Sequence, residues 1–388
     1  MTRCRFLIVG GGIAGLSTAW HLARAGHGRE TVLLEAEPHL ASHSTARNAA
    51  ILRTLSSDPL STRIALTSAD FLRQPPAGFC DVPLVDAKGL VLAAGPERAD
   101  EIAGWLKAVG ETPIRVEALS AARLRALSPA FRAEVAAAWS FPEEGRIDIG
   151  ALVAGFVRGA QAGGVELCRD REVEELAVED GRVCGARMRG GEEISADTTV
   201  LAAGGWAAGL GSRAGSRVAL RPTRRHLLVT APGPEARREW PVIWYFGSVA
   251  EGEFYCRPEG DGMLFCACEV TDVDPNALGI DPDVQGAIAT KVARHLPDFA
   301  AAGVAHFWCG MRTLTGDGRF AVGPDPDLAG LFWVAGLGGA GMVCGAEVGR
   351  IAGRLLTGEP VAPDVETGLS PARLAEMRVG RGARQRSA

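Results

Sequence analysis

The sequence predicts an α/β fold: a discontinuous Rossmann-like domain with an inserted second domain built on a mostly antiparallel sheet. Three observations predict it. A strand, a glycine turn and a helix open the chain in "RFLIVGGGIAGLSTAWHLARAG". The same design returns near the end in "GLFWVAGLGGAGM". Between them lie stretches of alternating apolar and polar residues, such as "EFYCRPEG" and "GMLFCACE", which read as antiparallel strands.

The opening unit is justified residue by residue. Phe6 to Val9 form the short apolar run of a buried parallel strand. Gly10, Gly12 and Gly15 supply G-x-G-x-x-G, with Ile13 and Ala14 inside it. Leu16, Ala19, Trp20 and Ala23 then recur at helical spacing, and Gly26 suits the C-cap. A second apolar run, "TVLLE", ends at Glu35, twenty positions after Gly15 and just before Ala36. Gly10 permits a tight turn, Gly12 lets backbone approach a pyrophosphate, and Gly15 lets helix and strand pack closely. The helix N-terminus offers amides and a positive dipole end to phosphate, and Glu35 can accept from ribose hydroxyls. The other reading is a glycine-rich helix start in an unrelated α/β fold. The motif alone does not choose between FAD and NAD.

The next stretch, "EAEPHLASHSTARNAAIL", narrows the choice. Instead of a further strand–helix unit, a polar loop of Ser42, His43, Ser44, Thr45, Arg47 and Asn48 leads into Ala49 and Ala50. Its hydroxyls and amides suit a pyrophosphate and a flavin edge. The blander expectation is a helix start capped by Ser44, and the two can hold together. "TTVLAAGG" ends a strand in small residues, so a ligand can lie across Ala203 and Gly204. In the C-terminal unit a helix is expected from about Gly341 through Val348 to Leu356, with amides at Gly339, Gly341 and Met342 facing a ligand.

Composition sets the class. A chain of 388 residues suggests two domains of roughly 150 residues each. Hydrophobic residues at 47% and charged residues at 22% are ordinary for a globular protein, and a net charge of −5 does not invite nucleic acid. Nine cysteines show no metal-ligand spacing. Cys266 and Cys268 fit a strand better than a zinc knuckle, no iron–sulfur pattern occurs, and no metal is expected. Dispersed thiols and the lack of a signal-peptide pattern before "FLIVGGG" suggest a cytoplasmic protein. The uncharged stretch Leu331 to Ala346 is glycine-rich and too short to span a bilayer.

"GGGIAGLSTAWHLARAG", "EAEPHLASHSTARNAA", "QPPAGF", "GRIDIGALVAGFVRGAQAGGVEL", "ADTTVLAAGGWAAGL" and "CGMRTLTGDGRFAVGPDPDLAGLFWVAGLGGAGM" follow one another along nearly the whole chain. Together they resemble the FAD-dependent D-amino-acid oxidase superfamily, which includes glycine oxidase, sarcosine oxidase and D-amino-acid dehydrogenases. The "HSTARNAA" form is most similar to bacterial D-arginine dehydrogenase. The resemblance implies non-covalent FAD in a GR2-type domain assembled from 1–79, 145–220 and 320–376. The substrate domain would come from 80–144 and 221–319, with a disordered basic tail at 377–388. It implies cofactor contacts from Val173, Trp206, Gly310, Arg312 and Gly338 besides the residues above.

For the substrate, the resemblance implies that Arg312 pairs with a carboxylate, helped by Tyr255 and Arg225, while the Gly339 carbonyl accepts from the amine. A structural ion pair with Asp317 is the competing expectation for Arg312, and Arg224 the solvent-facing neighbour of Arg225. The acid expected for cationic substrates is missing near Lys88, Gly89 and Leu90, and Ser56 replaces a tyrosine. Cys309 lies near the position of a covalent flavin link, which Gly310 takes. Leu264 stands where relatives carry an oxygen-activating lysine. The implied reaction is oxidative deamination of a D-amino acid, by a dehydrogenase rather than an oxidase, with quinone or oxygen as acceptor and a monomer or homodimer as the unit. A sarcosine- or glycine-type amine oxidase, a 2-hydroxy-acid dehydrogenase using His43 or His226 as base, and an electron-transfer flavoprotein subunit are the alternatives.

Overall fold

The apolar run before the first glycine turn becomes a central strand of the larger α/β half of the molecule. The computed structural model describes residues 2–110, 112–233 and 238–376; the tail expected at 377–388 lies outside them. Strand Thr2–Val9 runs parallel to Thr31–Leu34 on one side and to Glu193–Leu201 on the other. Glu166–Cys168 and Leu331–Ala335 extend this parallel ladder at its two ends. Glu193–Leu201 pairs antiparallel with Arg182–Met188 near its start and parallel with Leu331–Ala335 near its end. The strand interiors are buried on both faces, as parallel strands between helices require.

Three helices cover one face: Ile13–Arg24, Ile149–Ala162 and Gly341–Thr357. The last starts where the sequence places it. It carries glycines at 345, 349 and 353, four apart and so on one face. A Cβ at Gly345 would stand 2.6 Å from Ile13 Cγ1, one at Gly349 2.5 Å from Ser17 Oγ, and one at Gly353 3.0 Å from His21 Cβ. The stripe lets the C-terminal helix lie against the first helix with almost nothing between the backbones.

A second sheet of nine strands takes its strands from 90–141 and 221–314. "EFYCRPEG" and "GMLFCACE" form its antiparallel hairpin, Glu253–Glu259 and Gly262–Cys266. Cys266 ends the second strand, and Cys268 lies just past it with φ of 59°. All nine cysteines are free thiols. Arg221–Thr230 pairs along its length with Val304–Leu314. One face of this sheet packs on the helix Pro282–His295, and the other faces the α/β half.

One local expectation fails. Residues 41–48 are turns, and Ser44 caps no helix. The Asn48 amide donates to the Ser44 and Thr45 carbonyls, and its side-chain oxygen accepts from Ala50 N, which holds the loop open. The following helix, Pro59–Arg73, is capped instead by Asp58.

Candidate functional site

The cavity between the two sheets has a volume of about 1960 Å³. Its long arm follows the C-terminal ends of the parallel strands, where ligands bind in open α/β sheets. Gly10 makes the turn, with φ of +111° and no room for a Cβ, which would stand 2.5 Å from the Ala202 carbonyl oxygen. Gly12, Ile13 and Ala14 line the cavity. Gly15 does not: its Cα faces the Gly10 carbonyl, 2.0 Å from where a Cβ would stand, so it serves helix–strand packing.

Glu35 lines the same arm with Ala36. Its carboxylate accepts from Gly11 N at 2.7 Å and Glu37 N at 2.9 Å, which fixes its direction while leaving lone pairs toward the cavity. Thr45 accepts from Ile13 N at 3.0 Å, so one first-turn amide of the opening helix is already taken. Ser42, His43, Ser44, Arg47, Asn48, Ala49 and Ala50 line the wall with it. Ala50 has φ of 54°, a conformation that side chains rarely adopt. Val173, Ala203, Gly204 and Trp206 complete this arm.

The second glycine turn closes the cavity at Gly338, Gly339, Gly341 and Met342. No side chain caps its helix, so the dipole end faces the cavity. Gly338 N donates to the Thr313 carbonyl at 2.9 Å, which fastens the turn to the strand carrying Arg312. Gly310 on that strand packs on the Arg47 carbonyl, 2.4 Å from where a Cβ would stand.

The inner end is built by strand register. Thr223 pairs with Arg312 and Arg225 with Gly310, so both arginines project from the same sheet face. Trp244 pairs with Tyr255 on neighbouring strands. All four line the cavity. A Cβ on Gly339 would stand 3.0 Å from Arg312 Cζ, so guanidinium and glycine turn are in contact. Asp317, the competing partner for Arg312, pairs with Arg373 instead. Arg225 is buried, while Arg224 points the other way and pairs with Asp281. Tyr255 is 1% exposed, and burial raises its phenol well above the ordinary range, so it is a neutral donor.

Sequence reasoning missed Arg53 and Trp244. Arg53 lines the cavity with its guanidinium 4.0 Å over the Trp244 ring. A lone cation inside "AAILRTL" was the available signal. Glu144 is buried beside this region and takes the Thr54 amide and hydroxyl. Burial raises it to about 7 against the bonds from Thr54.

Several candidates lie elsewhere. His226 is fully buried off the cavity, with Nδ1 on Glu269 and Nε2 accepting from Asp281 N at 2.9 Å. His43, by contrast, stays on the cavity wall, with its Nε2 on Glu37 at 2.9 Å. Neither ring nitrogen of His226 is left for a base. The Cys309 thiol donates to the Gly279 carbonyl, off the cavity wall. Lys88, Gly89 and Leu90 are not on the wall, whereas Ser56 is. Among the described residues no group of side chains suits a metal ion, and no helix is long and apolar enough to cross a membrane.

The residues fit FAD: two helix N-termini whose N-cap residues make no side-chain cap, an oriented carboxylate at the far end, and glycine edges where side chains would block a flat ligand. The comparisons agree. The family model described as FAD dependent oxidoreductase matches residues 5–355. Glycine oxidase of Geobacillus kaustophilus is 27% identical over 350 residues, covering 85% of this chain and 86% of its own length. The 4-methylaminobutanoate oxidase (formaldehyde-forming) of Paenarthrobacter nicotinovorans is 27% identical over 372 residues, 92% of this chain but 44% of that protein, so the chain spans less than half of it. The crystal structure of L-proline dehydrogenase from P. horikoshii superposes with a TM-score of 0.84 at 20% identity, covering 96% of this chain and 98% of that one.

Proposed function

The chain belongs to the DAO family of FAD dependent oxidoreductases, and we propose that it oxidises the C–N bond of an amine bearing a carboxylate, a D-amino acid being the leading candidate. The observation that carries the reading is Arg312, which has no ion-pair partner among the described residues and lies against Gly339 in the cavity. FAD, when bound, supplies the two-electron acceptor that takes hydride from the substrate Cα, and water hydrolyses the released imine to an oxo acid and ammonia.

The chain's own residues supply position and electrostatics. The first glycine turn, Glu35 and the 42–50 loop would hold the dinucleotide, and the Gly341 helix end its isoalloxazine edge. A guanidinium fork matches a carboxylate bidentately, and a water-poor site strengthens the pair. Tyr255 and Arg225 would donate to the same group, and the Gly339 carbonyl would accept from a neutral amine. Of the two candidate bases for the 2-hydroxy-acid alternative, His226 has both ring nitrogens occupied off the cavity, which leaves only His43 on its wall. No lysine lines the cavity among the described residues, and Leu264 is buried in the sheet core off its wall. Both support a dehydrogenase over an oxygen-activating oxidase.

The test is anaerobic mixing of the flavin-loaded protein with single D- and L-amino acids, sarcosine and 2-hydroxy acids, read as bleaching of the flavin band. Bleaching by amines is expected, with Arg312→Ala losing on the order of 10²–10³ in kcat/KM. Bleaching by hydroxy acids alone, or full activity in Arg312→Ala, would sink the reading.

A further inference from the structure

Three arginines, Arg53, Arg225 and Arg312, line the inner end of the cavity. Among the described residues none has a carboxylate within ion-pair distance or a hydrogen bond from its guanidinium. Elsewhere buried and half-buried arginines are paired: Arg257 with Glu259, Arg224 with Asp281, Arg319 with Asp58. Here it does not. Nη1 of Arg53 and Nε of Arg225 are buried without any partner. Uncompensated buried charge is strongly unfavourable, so clustered cations without counter-ions mark a site completed by an anionic ligand.

The nearby acids are engaged elsewhere. Glu144 takes Thr54, and Glu253 takes Trp244 Nε1 at 2.8 Å. Burial lowers the Arg53 pKa, Glu253 and Glu144 raise it, and Arg312 lowers it further, so the two cations feel each other. One carboxylate presents two oxygens, and three guanidinium forks exceed what it can satisfy. Arg312 and Arg225 share one sheet face, whereas Arg53 comes from the 49–55 segment, with its guanidinium carbon 4.0 Å from the centre of the Trp244 ring and its Nη1 buried without a partner.

We propose that the substrate carries a second carboxylate, and that Arg53 is the residue that selects it. This rests on the amine-oxidation reading and narrows its substrate to dicarboxylic amines.

The test uses the flavin-loaded protein and non-oxidisable acids, read by perturbation of the flavin spectrum and by calorimetry. Succinate and glutarate are compared with propionate and butyrate in wild type, Arg53→Met and Arg53→Lys. The expected result is dicarboxylate binding about tenfold or more tighter than monocarboxylate binding. Arg53→Met should erase that preference with little change for monocarboxylates, and Arg53→Lys should keep part of it. Should the Met variant fail to retain flavin, the Lys variant and Arg53→Gln carry the comparison. Equal binding of both acid classes, or a parallel loss of both in Arg53→Met, overturns the assignment.

A second arm mixes aspartate, glutamate and iminodiacetate against alanine, glycine and sarcosine. If dicarboxylates bind selectively but no amine bleaches the flavin, the selectivity of Arg53 stands and amine oxidation falls. If only monocarboxylic amines bleach it, amine oxidation stands and the role of Arg53 falls.

Discussion

Arg312 and Glu144 sit close to one cavity end, and opposite physics governs them. Arg312 lines the cavity against Gly339, with no carboxylate in pairing distance among the described residues. Glu144 is driven toward neutrality by burial, to about 7. A carboxyl whose folded pKa exceeds its unfolded value near 4.5 takes up a proton on folding. Its share of stability is therefore fully present below about 4.5 and is lost as pH rises toward 7, by an amount on the order of 3 kcal/mol. His21 works the other way. Burial lowers it to about 3, so it favours folding above about 6.5 and loses that contribution as pH falls. The two slopes oppose each other between about 4.5 and 6.5, so the wild-type melting profile alone hides both. Glu144→Gln, which can still accept from Thr54, should gain stability relative to wild type as pH rises from 4.5 to 7. Thermal melts of both proteins across that range check it, and a constant difference would refute the shifted carboxyl.

At the scale of elements, the contact between the first and last helices decides whether the two glycine turns face one ligand. Gly349→Val would place a branched side chain where a Cβ alone stands 2.5 Å from Ser17 Oγ. Overpacking of this kind costs about 1–3 kcal/mol. The expected outcome is a lower melting temperature together with weaker flavin retention, measured by thermal melting and FAD titration. Loss of stability without loss of FAD affinity would uncouple the stripe from the site. These turns were legible in the sequence because glycine spacing, flanking runs and the acid at 35 act over short chain distances. The 42–50 loop was legible as a ligand wall but not in form. The expected Ser44 cap gave way to Asn48, whose amide serves the loop's own carbonyls.

The inner end of the cavity belongs to the whole molecule, and that is why the sequence showed it only in part. Arg312 and Tyr255 stood in stretches resembling a known family. Arg53 and Trp244 meet because Leu90–Ala94 inserts between Ala137–Phe141 and Val242–Phe246, which sets Trp244 on the face opposing the 49–55 segment. No local pattern encodes that pairing. His226 shows the converse: a histidine on the right strand, but one residue out of phase with Arg225 and so buried on the sheet's other side. The proposed carboxylate site is likewise spatial, set by the guanidinium of Arg312 beside Gly339. The most direct measurement is a crystal structure of the flavin-loaded protein with a non-oxidisable carboxylate such as propionate. Both carboxylate oxygens are expected on the Arg312 fork. A carboxylate seated elsewhere in the cavity, with Arg312 turned to a protein partner, would contradict it.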